Sequence, residues 1–157
     1  MPGRQAGVVP AYDPGIRGAT PFGIFLLADA YLHSAQAVAA VPRIRIGGPV
    51  RLLCFHACEL YLKCFLRSNG ATIVVLRDMG HDLHEMAIAA QAGGLAVKPD
   101  TLRRLAELAE RNDYVRARYV VSDVQGDLKP RSALILTEKL RELVRLALKM
   151  DPFGNPS

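Results

Sequence analysis

Apolar residues recur along this chain at intervals of three and four, the period of an amphipathic helix, and alternating apolar–polar runs are scarce. Five helical segments follow from that pattern. The first covers roughly residues 21–40, PFGIFLLADAYLHSAQAVAA, with Thr20 placed to cap it and Pro21 suited to the first helical position. The second, roughly 49–68, is PVRLLCFHACELYLKCFLRS, stopped by Asn69-Gly70. Its apolar residues cover most of the circumference, so it is expected to be the buried central helix. The polar remainder is a narrow stripe of His56, Glu59, Lys63 and Arg67.

The third segment, roughly 82–92, ends at Gly93-Gly94, and the fourth, roughly 101–115, takes Asp100 as its cap. The fifth, roughly 132–150, follows Pro130 with a stripe of Leu136, Leu140, Leu143, Ala147 and Met150. Such a stripe suits antiparallel helix packing. TIVVL at 72–76 has the composition of a short strand but no evident partner strand, and is read as an extended connector. The expectation is an all-α, antiparallel up-and-down bundle of four to five helices over residues 20–150. A Gly- and Pro-rich loose tail precedes it at 1–19, and a C-terminal tail follows at 151–157.

Composition adds limits. The 157 residues suffice for one domain with a core. No apolar run reaches the roughly 18–20 residues of a membrane span, because Asp29 interrupts the best stretch, and the first residues lack the apolar core of a signal peptide. A cytoplasmic location is therefore expected, with no membrane contact. Cys54, Cys58 and Cys64 are odd in number and share one apolar segment, which suits reduced core thiols rather than disulfides. The formal net charge is +5, and residues 101–150 hold most of it, with eleven Lys/Arg against seven Asp/Glu. A basic half of this kind is compatible with phosphate or RNA contact, and also with ordinary solvated helix surfaces.

The densest run of ionisable groups is GHDLHEM, residues 80–86. Asp82 followed by Glu85 has the spacing of a capping box, and Gly80 allows a sharp turn before it. That leaves His81 just outside the helix and His84 in its first turn. A metal site needs a third and a fourth ligand; HxxH lacks the i,i+4 pairing of zinc proteases, and no downstream His or Cys completes a set. The reading is a helix cap with structural histidines and no metal.

Several segments together resemble one family. FHACELYLKCFLRSNG (55–70) resembles the second helix of HEPN-domain proteins, LRDMGHDLHEM (76–86) their GHDL-like approach to the third helix, and DYVRARYV (113–120) their RY-containing segment after the fourth. A proline followed by a last amphipathic helix agrees too, so the resemblance covers roughly residues 21–150. It implies a dimer-forming helical bundle linked to nucleotide binding. In many branches it implies metal-independent ribonuclease activity in toxin–antitoxin or defence systems, often beside a nucleotidyltransferase-like partner protein. The family's catalytic signature is an Arg, usually followed by a polar residue, and then a His, with four to six residues between the Arg and the His. Here RNDYVR (111–116) has Arg111 and Asn112 but places Arg116 where the His belongs. An Arg stays protonated, with a pKa above about 12, so it holds a phosphate but shuttles no proton. A formal match, Arg51-Leu-Leu-Cys-Phe-His56, lies at the start of the second helix with Leu52 in the polar slot, and is read as a chance spacing.

The candidate phosphate- or nucleotide-binding residues are therefore Arg111, Tyr114, Arg116, Arg118 and Tyr119, with Lys63 and His81. Arginines beside tyrosines can grip a phosphate and stack a base, or else solvate and pack. Lys63 can meet a phosphate or pair with Glu59 one turn earlier. His81 can titrate near neutral pH or bond a nearby backbone group. The expected function is a homodimeric nucleotide- or RNA-binding module without catalytic residues, cofactor or metal. The alternatives are a metal-independent ribonuclease toxin and an interaction subunit of a nucleotidyltransferase-like partner.

Overall fold

The structure is a computed structural model that describes residues 19–44, 46–110, 119 and 128–157. Its helices are α1 (Pro21–Ala39), α2 (Gly48–Ser68), α3 (Ile73–Asp78), α4 (Leu83–Ala92), α5 (Pro99–Glu110) and α6 (Pro130–Ala147). No strand occurs among the described residues, and the fold is all-α.

α2 is the centre, as its composition predicts. Thirteen of its 21 residues are buried, and α1, α3, α4 and α6 all pack on it. Tyr61 and Leu62 are wholly enclosed, and Phe25 of α1 meets the Tyr61 ring edge-on at 5.3 Å. Burying side chains of this size is worth roughly 1.5–3 kcal/mol each. The three cysteines are free and buried. Burial pushes their thiols up, Cys54 to about 11 and Cys58 and Cys64 to about 12, so the reactive thiolate is disfavoured.

The expected caps form. Thr20 Oγ1 accepts from the Gly23 amide at 3.0 Å. α2 stops where Asn69-Gly70 predicts, by a Schellman motif: Ala71 N–H reaches Leu66 C=O at 3.0 Å, Gly70 N–H reaches Arg67 C=O at 3.1 Å, and Gly70 sits at φ +94°. α4 ends the same way, with Leu95 N–H on Ala90 C=O at 2.9 Å. α6 repeats the motif with a lysine in the left-handed position, Lys149 at φ 53°, so that Met150 N–H reaches Arg145 C=O at 3.0 Å.

Several expectations change. TIVVL is not an extended connector: Thr72 caps α3 by accepting from the Val75 amide at 3.2 Å, and the helix turns Leu76 into the core. A cap and one buried anchor override the β preference of Ile and Val, which need a neighbouring strand to satisfy their backbone. α5 begins at Pro99, so Asp100 lies inside the first turn instead of capping it. Its two oxygens take Arg103 Nη2 at 2.6 Å and Arg104 Nε at 3.1 Å. Pro130 likewise opens α6 from within. The buried stripe of α6 is Ala133, Leu136, Thr137, Leu140 and Val144, whereas Leu143 lies at its edge and Ala147 is exposed. Thr137 hid this register because it is polar; its hydroxyl donates to Ala133 C=O at 2.8 Å, which makes its burial tolerable.

α1 also departs from expectation. An 18-residue window in it reaches a mean hydropathy of 1.2, enough by length and composition to cross a membrane despite Asp29. In this fold its inner face packs on α2 and α6, and Asp29, 7% exposed, is held there by protein donors. Arg141 of α6 grips the carboxylate with Nε at 2.8 Å and Nη2 at 2.9 Å, and Tyr61 of α2 donates its hydroxyl at 2.5 Å. Burial first, then the Asp29 carboxylate, raises the Tyr61 phenol well above its ordinary pKa. The Arg141 guanidinium also lies over the Phe25 ring at 5.3 Å and donates to Pro152 C=O at 2.9 Å. The last residues fold back here. Asp151 accepts from the amides of Phe153 and Asn155, and Gly154 lies so close to Phe25 that a Cβ would sit 2.6 Å from its ring.

Three stability outcomes follow. Asp29→Ala leaves Arg141 and Tyr61 without their carboxylate and lowers unfolding free energy by about 3–5 kcal/mol in urea titration, while Tyr61→Phe loses about 1.5–3 kcal/mol. Lys149→Gly relieves a left-handed lysine and raises stability by roughly 0.5–1 kcal/mol in the same measurement.

Candidate functional site

The GHDL stretch gives each of its residues a separate task. α3 ends at Asp78 with Met79 as its C-cap, and Gly80 at φ +59° turns the chain through the left-handed region that favours glycine. Asp82 caps α4, its Oδ1 accepting from the Glu85 amide at 2.9 Å, and Leu83 enters the core. The cap is thus confirmed, with His81 outside the helix and an exposed His84 in its first turn.

His81 projects onto α2. Its Nδ1 lies 2.9 Å from Oε2 of Glu59, the buried member of the polar stripe. The other oxygen of Glu59 accepts from Lys63 Nζ at 2.7 Å, and Lys63 also donates to Gly80 C=O at 3.0 Å. One carboxylate therefore joins an imidazole and an ammonium, and the lysine ties α2 to the turn that carries the histidine. An ionised carboxylate only accepts, so this contact suits the His81 tautomer that carries its proton on Nδ1. Fixing one tautomer in this way is how a carboxylate orients an imidazole for proton transfer or for ligand contact. His81 is half exposed, at 50%, while Glu59 is 7% exposed and Lys63 14%.

The residues singled out from the sequence fare differently. Lys63 and His81 come together through Glu59, and the pairing of Lys63 with Glu59 is the one the helix spacing allowed. For His81 the sequence left open a titrating group or a bond to a nearby backbone group, and its partners include this carboxylate. Tyr119 is 70% exposed. Arg111, Tyr114, Arg116 and Arg118 lie outside the described residues. Arg51 is buried, and His56 stacks on Tyr31 at 5.2 Å. Among the described residues no group of three or more His, Cys, Asp and Glu side chains is placed to hold a metal ion.

The residues missed from sequence are those whose partners are distant in the chain. Asp29 was read only as a break in an apolar run, yet a lone acid on a core face demands a cation, and that demand was the available signal. The meeting of Glu59 with His81, 22 positions on, had no local signature. Comparison with family models, with characterised proteins and with solved structures finds no match to this chain.

The node predicts strong coupling. Glu59→Ala strands a largely buried ammonium and costs about 2–4 kcal/mol in urea denaturation, whereas Glu59→Ala with Lys63→Met costs less than the sum of the single changes by about 1 kcal/mol or more. Additive losses would show that the carboxylate and the lysine do not depend on each other.

Proposed function

We propose that this chain is a HEPN-like helical module that binds a phosphate-bearing ligand, a nucleotide or RNA, as a homodimer and without cutting it. The observation that carries the reading is the arrangement of the GHDL turn. The ordered motifs from which the resemblance was drawn, on α2 and at the start of α4, meet through Glu59, Lys63 and His81. That is what motifs belonging to one fold do, and a coincidental set of short matches gives no reason for such contact. The all-α architecture around a buried α2 agrees with the bundle the resemblance implies.

The binding role rests on Arg111, Arg116 and Arg118, with Tyr114 or Tyr119 as a stacking face. α5 packs on α4 after a short connection and ends one residue before Arg111. Lys63 is assigned a positioning role, since Glu59 and Gly80 engage it. His81 remains in the ligand-facing set. The link to a toxin–antitoxin or defence system and the nucleotidyltransferase-like partner rest on the resemblance alone, and the placement in the cytoplasm on the sequence reading alone.

A specific contact favours one alternative, the metal-independent ribonuclease. A half-exposed histidine oriented by a buried carboxylate is suited to general base work, and it would act from position 81 instead of the usual His slot that Arg116 fills. Binding of labelled short RNAs and nucleotides, with cleavage followed in the same samples, separates the two. Arg111→Ala and Arg116→Ala each weaken binding about tenfold, the affinity falls as salt rises, and the RNA stays intact. Unchanged binding in both variants rejects the arginine site. Cleavage by the wild type that His81→Ala and Glu59→Gln abolish would establish the ribonuclease instead.

A further inference from the structure

α6 carries a second stripe besides the buried one. Ile135, Lys139, Glu142 and Leu146 follow one another at spacings of four, three and four, and so share an outward face. Ile135 is 41% exposed and Leu146 63%. A groove of about 610 Å³ runs along this stripe, where the first turn of α5 approaches α6, and Leu143 lies in it.

We propose that this face docks a second copy of the chain, with α6 lying antiparallel against its counterpart. The order of the four residues selects that occupant. In a two-fold contact, if residue i meets residue j, then j meets i. An antiparallel pairing centred between Leu140 and Arg141 sets Ile135 against Leu146 of the second copy and Lys139 against Glu142 of the second copy, and each pair then occurs twice. A parallel pairing puts lysine on lysine and glutamate on glutamate. A partner of a single charge sign meets repulsion at one of the two central positions. Glu142 is already steadied on its own helix by Arg145 Nη2 at 2.9 Å and Arg141 Nη1 at 2.9 Å, so little freedom is lost when it meets a lysine. The groove gives the facing ridge a place to enter, as helices pack ridge into groove. Leu26 and Leu27 on α1 are also exposed, but no comparable charge pattern accompanies them.

This inference rests on the homodimer reading and names its surface. Light scattering and sedimentation at micromolar protein test it on the wild type, Leu146→Glu, Lys139→Glu and the exchange Lys139→Glu/Glu142→Lys, with circular dichroism confirming equal helicity. The wild type is expected to be a dimer and Leu146→Glu a monomer. Lys139→Glu, which sets acid against acid twice, raises the dimer Kd about tenfold or more, and the exchange restores it to within roughly threefold of wild type. A monomeric wild type overturns both the face and the homodimer. A wild-type dimer that neither single change disturbs overturns the face and leaves the homodimer standing. Weakening by Lys139→Glu that the exchange does not reverse overturns the antiparallel register, and the proposal with it.

Discussion

The carboxylate of Asp29 is the constraint on which the three longest helices depend. It stands on α1, in a face otherwise built for a core, and an ionised group there is tolerable only when protein donors replace its water. Arg141 supplies two such donors from α6 and Tyr61 one from α2. Apolar packing alone lets helices slide or rotate by a residue at modest cost; a bidentate guanidinium does not. The register of α6 follows from this pair, since a helix turned to aim Arg141 at Asp29 also turns Leu136, Leu140 and Val144 inward. The same arginine holds Pro152, so the C-terminal turn over Phe25 belongs to the same arrangement.

Glu59 solves a similar problem with a different consequence. It too is a buried acid held by a cation and a second donor, yet its lysine comes from its own helix and its histidine from an adjoining turn. Asp29 therefore ties distant elements of the core, while Glu59 ties the core to a half-exposed side chain. Any ligand that reaches His81 acts on a group already oriented, with Lys63 and Gly80 steadying the turn behind it. Such a separation, with a rigid carboxylate below and an accessible ring above, is how a site gains geometry without giving up access.

Local features were legible in the sequence because their causes are local. A cap, a helix stop or a left-handed glycine depends on a few adjacent residues, so Thr20, Asn69-Gly70, Gly80 and Asp82 announce themselves. The nearly all-round apolar surface of α2 likewise predicts its central place, and the spacing of Glu59 and Lys63 allows their pairing. What misled the reading was the weighing of local tendencies against each other. The β-branched run at 72–76 outweighed a threonine cap, and a polar Thr137 concealed the true buried stripe of α6. For Pro99 and Pro130, a helix starting at the proline was read as one starting just after it.

By itself, then, the sequence determined every described helix except α3, most of their ends, the all-α class and the central helix, since each of these depends on the periodicity and chemistry of neighbouring residues. Only the tertiary structure decided which cation answers Asp29, that His81 leans on Glu59, and which face of α6 turns outward. Those pairs are 112 and 22 residues apart in the chain, and their formation depends on how whole helices dock. A carboxylate in the sequence states that it needs a donor; the fold alone brings one within reach.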